Sequence, residues 1–306
     1  MKKFSIIIPV YNVEQYLKRT LDSVFKQTDQ NFEVIVVNDG CTDKSMEIAR
    51  QYDVKIIDTA HVGVSEARNI GVTYARGEYL LFLDSDDYWD IKLLESIQQS
   101  IKNRPDVIRF QVRNVYDDGT KQDFLESTFV DFSGEKAFEK ICTFHYVESV
   151  WCYAIKRTYY NKNKFRFAKD KIHEDFGLTP LIIIKATKVN SISYVGYNYY
   201  RRSGSIMNTQ TYSWTKRKVH DFYEHYLYLS EAIKTINVDS TIFRSFIANS
   251  MIMKICELHG KEYKEYKRKL WKKKIYNELM SNTVSRKIKK ILVQCSPKIY
   301  YKIMSR

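Results

Sequence analysis

The sequence predicts an α/β protein in which a mostly parallel sheet is sandwiched by helices, followed by a helical and strongly basic C-terminal extension. Over the first hundred residues, short apolar runs alternate with segments of helical periodicity, which is typical of parallel strands joined by helices. From about residue 214 onward the pattern is helical, with few glycines and a single proline, Pro297. We therefore predict two parts, residues 1–210 and residues 211–306.

Each predicted strand is a short apolar run, and each predicted helix repeats its apolar side chains every three or four residues. The first run, Phe4–Val10 (FSIIIPV), is almost entirely apolar, as expected of a central strand buried on both faces. Further strands are predicted at 32–37, 54–57, 78–83 and 107–112. Helices are predicted at about 16–25, 43–52, 64–76 and 93–101. Residues 115–210 combine strands and helices, with helices near 134–144 and 175–186.

The excess positive charge is concentrated in the C-terminal part. The whole chain has a net charge of +14, yet residues 211–306 alone hold 21 Lys and Arg against 8 Asp and Glu. The remaining residues are nearly neutral, with 29 basic and 28 acidic side chains. Such asymmetry indicates a surface that meets a polyanion, namely an anionic membrane, a nucleic acid or a phosphate-bearing substrate.

Cysteine spacing and hydropathy indicate the surroundings of the protein. Five cysteines with no CxxC pair argue against a disulfide framework or a zinc site and fit reduced thiols in a cytoplasm. We expect no secretory signal, since Met1-Lys2-Lys3 leads directly into the first strand. No apolar stretch approaches the roughly 20 residues that span a bilayer, so we expect no membrane-spanning helix.

The strongest local signal is the segment LFLDSDDYW at residues 81–89, in which an apolar strand runs into acidic residues. Carboxylates at a strand tip repel one another unless a cation lies between them. Mg²⁺ and Mn²⁺ prefer oxygen ligands and leave positions open for substrate phosphates. By itself the segment could also be a solvated acidic turn. Asp90 can cap the next helix, which leaves Asp84, Asp86 and Asp87 to be explained.

Three other interpretations of these segments fail on context. Asp86-Asp87-x-x-Asp90 matches the DDxxD of prenyl-transferring enzymes, but those are all-helical. The haloacid-dehalogenase phosphatases need Thr or Val where this chain has Tyr88. Dinucleotide binding calls for GxGxxG after the first strand, and this strand leads to Pro9-Val-Tyr-Asn12 instead.

Five short motifs follow one another along the chain: SIIIPVYN (5–12), VVNDGCTD (36–43), GVSEARN (63–69), GEYLLFLDSDD (77–87) and HED (173–175). Each is weak alone, but together and in this order they resemble glycosyltransferase family 2. Members of that family have the Rossmann-like GT-A fold and use nucleotide-diphosphate sugars. The resemblance covers about residues 1–205. Cys41 departs from it, since the family usually has serine at that place, beside the nucleotide pocket.

The resemblance implies a donor site and its metal. Asp39 would accept a hydrogen bond from the uracil N–H, which implies a UDP-sugar, and Arg68 would lie over or beside the base. A Mn²⁺ or Mg²⁺ ion would bind Asp86, with Asp84 as a second ligand. For the arginines the pattern leaves open that they are ordinary exposed residues. Contacts with the base, ribose and phosphates are implied for Pro9, Tyr11, Asn12, Asp84, Ser85, Arg201 and Arg202.

The resemblance also implies an acceptor side. The acceptor hydroxyl needs a base, because its own pKa lies far above cytoplasmic pH, and Asp175 matches the base of the family. Glu174 is the implied acceptor ligand, although both acids would also suit the start of a helix. Trp151 could stack on a sugar or pack in the core, and His173 is expected to be structural. In-line attack with one base implies inversion, so that an α-linked donor would give a β-linked product.

Basic clusters in residues 261–306 alternate with Trp, Tyr and Ile, as in helices that lie at a membrane interface. Packing of these helices on the catalytic part is the alternative, and nucleic-acid binding is not expected because no reader motif accompanies the charge. A membrane-bound tail would suit a polyprenyl-diphosphate-linked glycan acceptor. The sequence thus predicts a cytoplasmic enzyme, peripheral at the inner face of the membrane, that builds a surface polysaccharide such as a capsule. The alternatives are a nucleotidyl or other phosphate-handling transferase and a non-catalytic glycan- or membrane-binding protein.

Overall fold

The computed structural model describes residues 2–201, 211–280 and 283–304. Its strands are β1 Phe4–Val10, β2 Phe32–Asn38, β3 Lys55–Asp58, β4 Tyr79–Phe82, β5 Tyr88–Trp89, β6 Val107–Tyr116, β7 Lys121–Phe124, β8 Phe129–Phe132, β9 Tyr153–Lys156 and β10 Val189–Arg201. Its helices before residue 210 are α1 Glu14–Phe25, α2 Ser45–Ala49, α3 Val64–Tyr74, α4 Leu93–Gln99, α5 Gly134–Ile141, α6 Arg157–Lys162 and α7 Thr179–Ile184. Those that follow are α8 Tyr212–Ala232, α9 Thr241–Ile255, α10 Gly260–Lys272, α11 Val284–Cys295 and α12 Pro297–Met304.

The strands form one sheet in the order β3-β2-β1-β4-β9-β6-β10-β5, with β7 on β6 and β8 on β10. Strands β3, β2, β1 and β4 are parallel, so their carboxyl ends lie at one edge. Every residue of β1 is buried, because β1 lies between β2 and β4 and both of its faces are covered. The apolar composition of this strand follows from that position.

The predicted α/β class with a helical C-terminal region is confirmed, and β1 has the predicted bounds. The parallel arrangement holds for β1 to β4, whereas β9 enters antiparallel between β4 and β6 and makes the sheet mixed. The 13-residue strand β10 then runs parallel to β6. Local apolar patterning did not resolve β9 and β10, because each gains its place through partners far away in sequence.

The C-terminal helices share an apolar core with the sheet-bearing part. Phe138 of α5 contacts Phe243 and Phe246 of α9, and Phe176 stacks on Phe222 of α8. The boundary near residue 210 stays a prediction, since residues 202–210 lie outside the described part of the chain. Among the described helices, none combines the length and apolar character that crossing a bilayer requires.

Candidate active site

The tips of β1, β2 and β4 bring three of the five motifs together. Because these strands are parallel, the residues that follow them meet at one edge of the sheet. The Asp39 amide donates to the Val10 carbonyl at 2.8 Å, which joins the segments after β2 and β1. Pro9 is buried within β1, whereas Tyr11 and Asn12 are exposed just beyond it.

Asp39 is a buried carboxylate that closes the loop after β3. It accepts hydrogen bonds from the Val62 and Gly63 amides at 2.6 and 3.0 Å and from the Thr59 hydroxyl at 3.0 Å. Gly40 has φ of +80°, which allows the sharp turn that follows Asp39. The acceptor capacity of this carboxylate is therefore largely used, and a uracil N–H has to share one of its oxygens. The uracil contact stays a prediction.

His61 lies beside Asp39, although the sequence did not single it out. Its ring lies on the exposed Tyr11 ring, with centroids 4.2 Å apart, and its Nδ1 lies 3.1 Å from the Asp39 carbonyl oxygen. The side-chain oxygen of Asn12 accepts a hydrogen bond from the Thr42 amide at 2.8 Å, which joins the segments after β1 and β2. Cys41 replaces the usual serine hydroxyl by a thiol 3.3 Å from the Val10 carbonyl oxygen. Cys41 therefore connects the loop after β2 to the end of β1, although a thiol stands where the family usually has a serine.

Helix α1 fixes the backbone of the acidic loop after β4. The Thr20 hydroxyl lies 2.9 Å from the Ser85 carbonyl oxygen and 2.6 Å from that of Asp87. Arg19 donates to the Asp86 carbonyl at 2.8 Å, and its guanidinium lies between the Tyr88 and Tyr200 rings. Side chains of one helix thus reach three successive carbonyls, two of which share the single hydroxyl proton of Thr20.

Asp87 has a structural role that the sequence left unexplained. Its buried carboxyl accepts from the Tyr197 hydroxyl at 2.6 Å and from the Tyr200 amide at 2.7 Å, which ties the acidic loop to β10. Burial, with the like charges of Asp86 and Asp84, raises the pKa of Asp87 well above its usual range. The predicted helix cap at Asp90 is wrong: its side chain accepts from the Tyr194 hydroxyl, and α4 has no side-chain cap.

Arg68 joins the acidic loop to the HED segment. It is 3% exposed and pairs with Asp84 at 2.8 Å, Glu174 at 2.5 Å and Asp175 at 3.2 Å. Arg68 is therefore not an exposed helical arginine, and its predicted position over or beside the base stays a prediction. The physical reason is that a buried guanidinium needs counter-charges, and three carboxylates supply them here.

Asp175 lies beside Arg68 and Glu174, and its role as the base stays a prediction. Its side chain is 18% exposed, accepts from the Val150 amide at 3.1 Å, and shares Arg68 with Glu174. Burial raises the pKa of Asp175 to about 8 against the opposing effect of Arg68, and the like charges of Glu174 and Asp84 add to the rise. Helix α7 begins at Thr179, so Asp175 does not lie in its first turn.

His173 fits the expected structural role. Burial lowers the pKa of its imidazole to about 3, so the ring is neutral. The ring packs edge-on against Phe222 of α8, with centroids 5.5 Å apart. Its backbone φ of +58° turns the chain just before Glu174.

A divalent cation fits the chemistry of this edge. Asp84 and Asp86 offer carboxylate oxygens, and three carboxylates around one guanidinium leave an excess of negative charge. Within residues 2–201, 211–280 and 283–304, no group of three or more metal-ligating side chains stands ready to hold an ion. Mg²⁺ sites in phosphate chemistry commonly combine one or two carboxylates with substrate phosphates. Asp86 and Asp84 with the donor diphosphate would suffice, and this metal site stays a prediction.

The remaining predicted residues lie around this centre. Trp151 is 6% exposed and stacks on Tyr197 with centroids 4.3 Å apart, which favours core packing over acceptor stacking. Ser85 is a buried residue of the acidic loop. Arg201 is exposed at the end of β10 and donates to the Tyr146 hydroxyl at 3.2 Å. Arg202 lies outside the described residues.

Comparison with known proteins agrees with this geometry. The model of the family described as "Glycosyl transferase family 2" matches residues 5–173. Glycosyltransferase GlyA of Streptococcus pneumoniae serotype 4 is 28% identical over 267 residues, which cover 81% of this chain and 38% of GlyA. Glycosyltransferase GlyG of the same organism is 30% identical over 236 residues, covering 71% of this chain and 77% of GlyG. This chain therefore spans well under half the length of GlyA but most of GlyG.

A third relative has a solved structure. Poly(ribitol-phosphate) beta-N-acetylglucosaminyltransferase TarS of Staphylococcus aureus is 29% identical over 250 residues, covering 78% of this chain and 41% of TarS. The crystal structure of TarS residues 1–349 in complex with UDP-GlcNAc has a TM-score of 0.63 at 19% identity, covering 98% of this chain and 89% of that one. This likeness confirms the fold. With the family match over more than half of its length and the similarity to GlyG, the chain belongs to glycosyl transferase family 2.

Proposed function

We propose that this chain is an inverting, metal-dependent glycosyltransferase that moves a sugar from a UDP-sugar to a hydroxyl of a glycan acceptor. The observation that carries the proposal is the Arg68 network, which ties Asp84 on the donor side to Asp175 on the acceptor side. The names of the relatives support it, as does the UDP-GlcNAc held by TarS. TarS is also named for a β-linked product.

The described side chains suit a single displacement. Asp175 takes the proton of the acceptor hydroxyl while the hydroxyl oxygen bonds to the anomeric carbon of the donor sugar. The bond from that carbon to the diphosphate breaks, and UDP leaves with the electron pair. Arg68 keeps Glu174 and Asp175 beside the acidic loop, so that base and donor meet in one orientation. Asp86 and Asp84 would hold Mn²⁺ or Mg²⁺, which would supply positive charge to neutralise the departing diphosphate.

Calorimetry with UDP and transfer assays with UDP-sugars test this proposal directly. We expect UDP binding that is strengthened by Mn²⁺ or Mg²⁺ and weakened by EDTA, because the diphosphate and the acidic loop repel each other without a cation. UDP-GlcNAc is the first donor to assay, followed by UDP-glucose and UDP-galactose. Absence of UDP binding at any concentration of either ion would disprove the donor class.

We further propose that helices α11 and α12 dock on the inner face of an anionic membrane, where a polyprenyl-diphosphate-linked glycan is the acceptor. Packing accounts for part of this region, since Val293 of α11 and Tyr300 of α12 are buried. Four isoleucines are instead more than half exposed, among lysines on the same two helices: Ile288, Ile291, Ile299 and Ile303. Exposed apolar side chains flanked by lysines suit an anionic lipid surface. A surface polysaccharide such as a capsule is the product we propose.

Replacing Ile288, Ile291, Ile299 and Ile303 by serine is expected to abolish co-sedimentation with vesicles that contain phosphatidylglycerol. The reason is that the lysines alone attract the surface but insert nothing into it. Leu125 and Val130 are exposed on the catalytic part, and their replacement by serine is the matched control. Unchanged co-sedimentation of the four-serine variant would contradict the docking surface.

A further inference from the structure

The loop that carries the proposed base, residues 170–178, is bordered by helix α8 of the C-terminal region. It precedes α7 and contains no regular helix or strand. Two of its residues, Asp170 and His173, have positive φ, near +57° and +58°. Such a loop needs contacts from outside to hold one shape. Helix α8 supplies three side chains for this, each 4% exposed or less: Asp221, Phe222 and His225.

Two of these side chains hold the backbone of Ile172, three residues before Asp175. The Asp221 carboxylate accepts from the Ile172 amide and from the Lys171 ammonium, both at 3.1 Å. His225 Nε2 lies 3.1 Å from the Ile172 carbonyl oxygen. A carbonyl oxygen only accepts, so His225 carries its proton on Nε2 and donates there. Both backbone polar groups of Ile172 are thus paired with α8.

Apolar contacts hold the loop on the other side of Asp175. The Phe222 ring stacks on Phe176, with centroids 3.9 Å apart and planes at 16°. Gly177 lies so close to His225 that a Cβ atom there would come within 2.3 Å of its Nδ1. Residues on both sides of Glu174 and Asp175 are therefore fixed against the same helix.

We infer that Asp221, Phe222 and His225 are positioning residues that set Asp175 against Arg68 and the donor. This role rests on the proposed function, and it makes α8 part of the catalytic unit. The described hydrogen bonds and ring contacts between these three residues and the base loop reach Lys171, Ile172, His173 and Phe176, so α8 acts through that loop. Small displacements of a reacting group lower turnover steeply. The effect of losing these contacts should therefore appear in kcat rather than in donor binding.

Asp221→Ala tests the inference. We expect kcat at saturating donor to fall by up to about 100-fold, with UDP affinity close to that of the wild type. Hydrogen exchange at the Ile172 amide should become faster, because its acceptor is gone. Asp221→Asn keeps an oxygen that can accept from this amide and should restore much of kcat. Glu224→Ala, an exposed acid on the same helix, is the control and should leave kcat unchanged.

His225 offers a second, independent pair of variants if Asp221→Ala does not fold. His225→Leu removes the donor to Ile172 and should lower kcat, while His225→Gln can place an amide donor near the same carbonyl and should retain it. If the wild type transfers sugar and the folded Asp221→Ala variant is equally active, the role of α8 is overturned. Losses of kcat and UDP affinity in equal proportion would overturn it too. A wild type that transfers no sugar speaks instead against the proposed function.

Discussion

Replacing Asp175 by asparagine is expected to lower kcat for sugar transfer by about 10²- to 10⁴-fold. The amide has nearly the same shape as the carboxylate, but its single oxygen can accept from either Arg68 or the Val150 amide, which now donate to different oxygens of Asp175. It cannot take the proton of the acceptor hydroxyl. UDP affinity, measured by calorimetry, should therefore stay close to that of the wild type while turnover collapses.

The pH profile of the wild type provides a second measurement of the same assignment. A base acts only when ionised, and burial raises the pKa of Asp175 to about 8. Below that value most of the enzyme carries the protonated acid, so kcat/KM should rise about tenfold per pH unit and level off above the pKa. The residual activity of Asp175→Asn should lack this rise.

Asp170→Asn is the matched control, since Asp170 lies in the same loop but is exposed. It should leave both kcat and the pH profile unchanged. Full activity of Asp175→Asn would remove Asp175 from the role of base. Glu174, which shares Arg68 with it, would then be the carboxylate to test next.

Arg68→Leu is expected to remove transfer activity and to lower the free energy of unfolding by about 3–5 kcal/mol. Asp84, Glu174 and Asp175 would then face one another without the guanidinium that now joins them. The loss of stability should shrink at lower pH, because protonation of the carboxyls removes their repulsion. Urea unfolding at several pH values measures this directly.

Two variants separate the network from a simple loss of charge. Arg68→Lys keeps a positive charge but lacks the planar fork that contacts three carboxylates, so we expect only partial recovery of stability and activity. Arg166→Leu removes an exposed arginine that pairs with Glu66 at 2.7 Å, and surface pairs contribute about 0–1 kcal/mol. Equal stability losses in Arg68→Leu and Arg166→Leu would contradict a buried network at Arg68.

Features encoded by local patterns were predictable from the sequence. The apolar run at 4–10 predicted the bounds of β1. The alternation of strands and helices predicted that the acidic residues follow the end of a strand, and they do follow β4. The motifs at 36–43 and 77–87 meet because their strands are parallel to β1. A short apolar run between two helices is enough information for such a strand.

Features that depend on distant partners were not predictable. Nothing near Arg68 in the sequence shows that it will pair with carboxylates 106 and 107 residues away. The link between Asp87 and Tyr197 spans 110 residues, and it explains an acid that the motif alone left without a role. His61 lacked any signal, since a single histidine in a loop has no periodicity to interpret.

The acidic loop after β4 is fixed by contacts within the protein. Side chains of α1 reach the carbonyls of Ser85, Asp86 and Asp87, and the Asp87 carboxyl accepts hydrogen bonds from β10. An ordered loop has little conformational entropy left to lose when a nucleotide sugar binds. In the proposed function, most of the attraction between a cation on this loop and the donor diphosphate would therefore appear as affinity.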